Sequence, residues 1–113
     1  MMIYNLDKIN EMAEGDEDFI TSVISVFLEE VPEDLESLEK AIDSKDYENI
    51  YKLAHKIKPN VDILGMEQAR AKALEIETLG KTAGSIDEIT EKFPMLKKDV
   101  LQVVTELKND FNL

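Results

Sequence analysis

The chain contains one histidine, His55, and no cysteine, so imidazole chemistry has a single candidate and thiol chemistry has none. A neutral imidazole is a competent nucleophile near pH 7, because its unperturbed pKa is about 6.5. On a helical wheel at ~100° per residue with Ile50 at the origin, Leu53, Ala54, Ile57, Val61 and Leu64 fall within roughly 60° of that direction. His55 falls near ~140° on the same wheel. The histidine therefore points away from the apolar stripe, toward solvent or a partner. Lys52 lies one turn earlier and Lys58 one turn later, each about 60° to one side; Lys56 is adjacent in sequence but roughly 100° away. No acidic residue occurs from Asn49 to Val61. At the overall frequency of 25 acids in 113 residues, a stretch of that length would carry about three.

This pattern suits a phosphoryl carrier. The imidazole supplies the nucleophile, and a lysine one turn away neutralises incoming phosphoryl oxygens without forming the bond itself. Exposure is required, because a donor must approach in line with the ring nitrogen. No Gly-rich phosphate loop is present to hold a nucleotide, so the group would arrive from one protein and leave to another. The same residues also describe an ordinary helix surface, with the lysines paired to Glu48 and Asp62. Metal chemistry is poorly served: one histidine cannot supply the two Glu-x-x-His motifs of di-iron bundles, and zinc lacks a His-x-x-x-His pair or a cysteine. Among the acids no carboxylate pair stands out for hydrolysis.

The elements that would position His55 read as helices throughout. Leu6, Ile9 and Met12 outline a short first helix ending near Gly15. Asp16, Glu17 and Asp18 cap and favourably charge the next, whose stripe is Phe19, Val23, Phe27, Val31, Leu35, Leu38 and Ile42, with a kink expected at Pro32. Asp46 caps the histidine helix, and Gly65 stops it. Ala69, Ala73, Ile76 and Leu79 mark a fourth helix closing near Gly80 or Gly84. Ser85 and Glu88 form a capping box for a fifth, with Ile89, Phe93, Leu96, Val100, Val103 and Leu107 as its stripe and Pro94 a further kink. Glu36–Lys40, Glu48–Lys52, Glu77–Lys81 and Glu88–Lys92 are spaced as i,i+4 pairs on exposed faces. Short connections favour antiparallel neighbours. The expected fold is all-α: an up-down-up-down four-helix bundle with a short extra N-terminal helix.

Composition narrows the partners. The net charge is -12, from 25 acidic and 13 basic side chains, a field that repels nucleic acid and anionic lipid. It also serves solubility alone. No apolar run approaches the ~20 residues of a membrane span, and the first residues lack the layout of a signal peptide. A cytoplasmic protein with protein partners is expected. A monomer is expected too, since each stripe can be satisfied within one bundle, although an apolar patch near Phe19 or Phe111 could pair subunits.

The stretch from Leu53 to Met66, with Ala54-His55, Lys58 and Leu64-Gly65 at their offsets, resembles the signature of the histidine-containing phosphotransfer (HPt) family. That signature has an Ala-His pair, a lysine three residues after the histidine, and Leu-Gly ending ten residues after it. Upstream, Phe27-Leu28-Glu29-Glu30, Pro32, Leu35, Leu38, Ala41-Ile42 and Asp46 are similar to the family's layout, so the likeness in residue types runs from about Phe19 to Met66. The resemblance implies one HPt domain over residues 1–113. His55 would accept a phosphoryl group from, or donate it to, a receiver-domain aspartate, as an intermediate between a hybrid sensor histidine kinase and a response regulator. Lys58 would be the phosphate-side lysine, with Lys52 and Lys56 as weaker electrostatic support, and Gly65 would let helices or a partner approach closely. The protein would be a carrier, not a stand-alone enzyme, with no cofactor of its own and the Mg²⁺ on the receiver. Pro59 departs from the family, which commonly has glycine there. Proline cannot donate to the His55 carbonyl, so the helix should bend where a partner docks. The rival expectation is a docking module that binds a receiver or kinase without accepting phosphate.

Overall fold

A computed structural model describes residues 4–112. Five helices and no strand occur among them: α1 (Asp7–Ala13), α2 (Glu17–Asp43), α3 (Tyr47–Ile63), α4 (Glu67–Lys81) and α5 (Ile86–Phe111). The local signals act as their chemistry dictates. Asp16 accepts from the N–H groups of Asp18 and Phe19, and Asp46 from that of Asn49. Ser85 Oγ accepts from the Glu88 N–H at 3.2 Å, one half of the capping box. Gly65 takes φ +65° directly after α3, the left-handed geometry that stops a helix. Pro32, Pro59 and Pro94 all lie inside helices that continue through them.

The helices α2 to α5 close into a four-helix bundle, each packed on its neighbours in sequence and α2 also on α5. The connections between them are three or four residues long, so the chain reverses at each. Their stripes meet in one core running from Ile24 through Ile57 and Ile76 to Leu107. Leu53 and Leu79 sit at its margin, half-buried. Phe19 and Phe111 pack against it as well.

Lengths explain the extra helix. At ~1.5 Å per residue α2 and α5 are about 40 Å long, and α3 and α4 only about 25 Å. The α3–α4 hairpin thus leaves one end of the long pair uncovered. The N-terminal segment covers it: Tyr4 is buried with its hydroxyl donating to Asp110, the Asn5 N–H donates to the Leu64 carbonyl at 2.8 Å, and Ile9 and Ala13 are buried. Met12, expected in the buried stripe of this helix, is instead 59% exposed. With only seven residues, α1 presents a face one or two side chains wide, and Ile9 and Ala13 fill it.

Candidate functional site

His55 lies at the middle of α3, on the face toward α4, with its side chain 62% exposed. What holds the ring comes from the tertiary contact and not from α3 alone. Glu77 on α4 places Oε2 3.1 Å from the imidazole Nδ1. Lys58 Nζ reaches the same carboxylate, at 2.8 Å from Oε1 and 3.2 Å from Oε2. Burial of Glu77 pushes its pKa upward, but the hydrogen bonds and charges of Lys58 and His55 outweigh this and hold it below the usual carboxylate range. Glu77 is therefore ionised near neutrality and can only accept. The proton between it and His55 must sit on Nδ1, so in the neutral ring the lone pair is on Nε2, the ring edge turned away from Glu77.

A further contact completes the setting. Tyr51, one turn before His55 on α3, stacks on the imidazole with centroids 6.0 Å apart and planes at 26°. Lys81 Nζ stands 5.9 Å from the centre of the Tyr51 ring. Gly80 makes this register possible. It is buried, and a Cβ there would meet the Tyr51 backbone nitrogen at 2.8 Å. Only a residue without a side chain lets α4 approach α3 this closely.

The residues singled out by sequence divide into two groups. His55 and Lys58 converge on Glu77, while Lys52 and Lys56 do not join them. Lys52 pairs with Glu48 on its own helix at 3.0 Å, and Lys56 reaches across to Asp34 of α2 at 3.1 Å. Asp62 turns to Lys8 (2.8 Å) and Arg70 (3.6 Å), so it is neutralised away from His55. Pro59 is exposed and, with Phe19, Val23, Val26 and Ile63, lines an apolar cleft between α2 and α3 beside the site. At Gly65 the close approach is made by the N-terminal segment and not by a helix. A Cβ there would run into the Asn5 side-chain amide, so its space belongs to the N-terminal segment.

Two expected surface pairs are corrected. Glu77 points inward to Lys58 and His55 in place of Lys81, and Lys92 bridges to Glu75 of α4 at 3.4 Å in place of Glu88. In both, a partner on a neighbouring helix displaces the one four residues away. Glu77, Tyr51 and Gly80 join the site only through the packing of α4 on α3. The one signal for them in the sequence is the acid at Glu77, four residues after Ala73 and next to Ile76 of the fourth-helix stripe, where a charge demands a partner. The strip free of acids in sequence is thus not free of acids in space.

Among the described residues no group of three or more His, Cys, Asp or Glu side chains is placed to hold a metal ion. No helix among them is long and apolar enough to cross a membrane. Compared with known proteins, the chain matches the model of the Hpt domain over residues 22–109. No curated protein matches it.

Proposed function

The chain belongs to the Hpt domain family, and from that premise we propose that His55 is its phosphoacceptor, taking and returning a phosphoryl group through Nε2. Phosphotransfer in two-component signalling is the work of this family, whose members interact with receiver domains and histidine kinases. The observation that carries the assignment is the Glu77–His55 contact. An ionised acceptor at Nδ1 puts the nucleophilic lone pair on the exposed edge of the ring.

The transfer balances simply. The Nε2 lone pair forms the bond to phosphorus while the bond to the donor's aspartyl oxygen breaks, and its electron pair leaves with that carboxylate. The imidazole becomes a cation carrying the phosphoryl group, and Glu77 faces the new positive charge at Nδ1. Lys58 keeps Glu77 ionised and in place, and its charge, one turn from His55 on α3, favours the approach of phosphoryl oxygens. Lys52 and Lys56, each held by an acid, contribute only to the field around the site. Mg²⁺ and most of the catalytic assistance belong to the receiver, so the protein acts as a carrier between a hybrid kinase and a response regulator. The apolar cleft that Pro59 lines between α2 and α3 offers such a partner a surface on the same helix as His55.

The test is intact mass after incubation with phosphoramidate or a phosphorylated receiver. A gain of one phosphate, labile to acid and absent in His55→Gln, is the expected result. A folded protein that takes no label from any of several donors would sink the carrier reading and leave a docking module.

A further inference from the structure

We infer that Tyr51 is a positioning residue for phosphoryl transfer at His55, acting through the stack of its ring on the imidazole; this rests on the proposed role of His55. An imidazole on a helix surface turns about two side-chain torsions, and one hydrogen bond at Nδ1 leaves the ring free to swing about that contact. The Tyr51 ring removes this freedom. With centroids 6.0 Å apart and planes at 26° it lies roughly parallel to the imidazole and offset along it, bounding the ring on one side, while Glu77 holds one edge. Ring plane and ring edge are then both set, and Nε2 has one direction in which to meet a donor.

The stack does more once the bond has formed. Attack by Nε2 turns a neutral ring into a cation, and an aromatic face beside a cation is attractive. The interaction is stronger in the charged product than in the free histidine, as catalysis requires. Tyr51 is itself held in place. Its backbone is pinned by the close approach of Gly80, and Lys81, which makes no ion pair among the described residues, stands over its ring. Its hydroxyl has no hydrogen-bond partner among the described residues, so the ring is the functional part.

The experiment compares wild type, Tyr51→Phe and Tyr51→Leu in the full chain, with phosphoramidate as donor and the rate of acid-labile mass gain as the readout. Tyr51→Leu should lower the rate at saturating donor roughly three- to tenfold, with little change in the donor concentration giving half the rate. Tyr51→Phe, which keeps the ring and loses only the hydroxyl, should restore the rate to within about twofold of wild type. Nitrogen shifts of His55 should show the Nδ1–H form less populated in Tyr51→Leu and restored in Tyr51→Phe. If Tyr51→Leu melts below the assay temperature, Tyr51→Met replaces it, with the same expected loss. A Leu or Met variant as fast as wild type, or a Phe variant as slow as Leu, overturns the role of the ring while leaving His55 as acceptor. No label on wild type overturns both.

Discussion

Gly80 on α4 lies against the backbone of Tyr51 on α3, where an added Cβ would stand 2.8 Å from the Tyr51 nitrogen and 3.1 Å from its Cα. The helix pair that carries the candidate site is therefore spaced by an absent side chain. One turn along α4 from this contact, Glu77 reaches His55 and Lys58. The spacing of two backbones thus sets the geometry of a hydrogen bond to the His55 ring.

Gly80→Ala sets two effects against each other. Alanine gains about 1 kcal/mol of helix propensity over glycine, but overpacking against backbone costs about 1–3 kcal/mol. Backbone atoms of Tyr51 cannot move aside as a flexible side chain would, so the clash should prevail. Urea unfolding should show a net loss of stability, and phosphotransfer should slow as α4 is pushed outward. A more stable variant would mean that the close approach imposes no constraint.

Glu77→Gln removes the charge that fixes the His55 proton and leaves Lys58 without its carboxylate. Phosphotransfer should fall by roughly ten- to a hundredfold, and stability by about 1–3 kcal/mol. Both are read on the same protein, by mass labelling and urea titration. Transfer at the wild-type rate would show that tautomer selection by Glu77 is not needed.

The pH dependence of stability should have an acid limb and an alkaline limb. For Glu77 and Glu75, burial pushes the pKa up, and hydrogen bonds from Lys58 and His55, or from Lys72 and Lys92, bring it below the usual value of 4.5. A lowered carboxylate pKa contributes stability that is present above 4.5 and lost as pH falls through the folded value. Tyr4 behaves in the opposite way. Burial, the hydrogen bond to Asp110 and the charges of Asp110 and Glu106 push it from 10.0 to about 12. Its contribution is present below pH 10 and lost as pH rises through about 12. The stability difference between wild type and Tyr4→Phe should therefore narrow over that range. A constant difference would place the docking energy of Tyr4 elsewhere than in its hydroxyl.

Gly65→Ala should destabilise through two separable causes. The φ of +65° costs a residue with a Cβ about 1–2 kcal/mol, and the new methyl collides with the Asn5 amide. In an Asn5→Ala background the collision is relieved and the backbone cost stays. A double-mutant cycle in urea should thus find the double variant less destabilised than the sum of the two single ones. Strict additivity would place Asn5 away from Gly65 in solution.

The helices and their limits were legible in the chain, because helix signals act over three or four residues and every partner they need is close in sequence. Asp16, Asp46 and Ser85 each cap the helix that follows, and the stripes of α2, α3 and α5 form the core. The outward face of His55 followed from the same periodicity. Nothing local told Glu77 to leave Lys81 for a lysine nineteen positions away and a histidine twenty-two positions away. That choice depends on the distance between α3 and α4, and Gly80 sets the distance only once the two helices are side by side. What approaches Gly65 was hidden for the same reason, since its neighbour Asn5 lies sixty residues earlier in the chain. Sequence by itself determined the helices, the core and the one histidine that faces outward. Tertiary structure decided which nitrogen of its neutral ring is left free, because a proton on a ring is placed by whatever acceptor the fold brings within 3.1 Å.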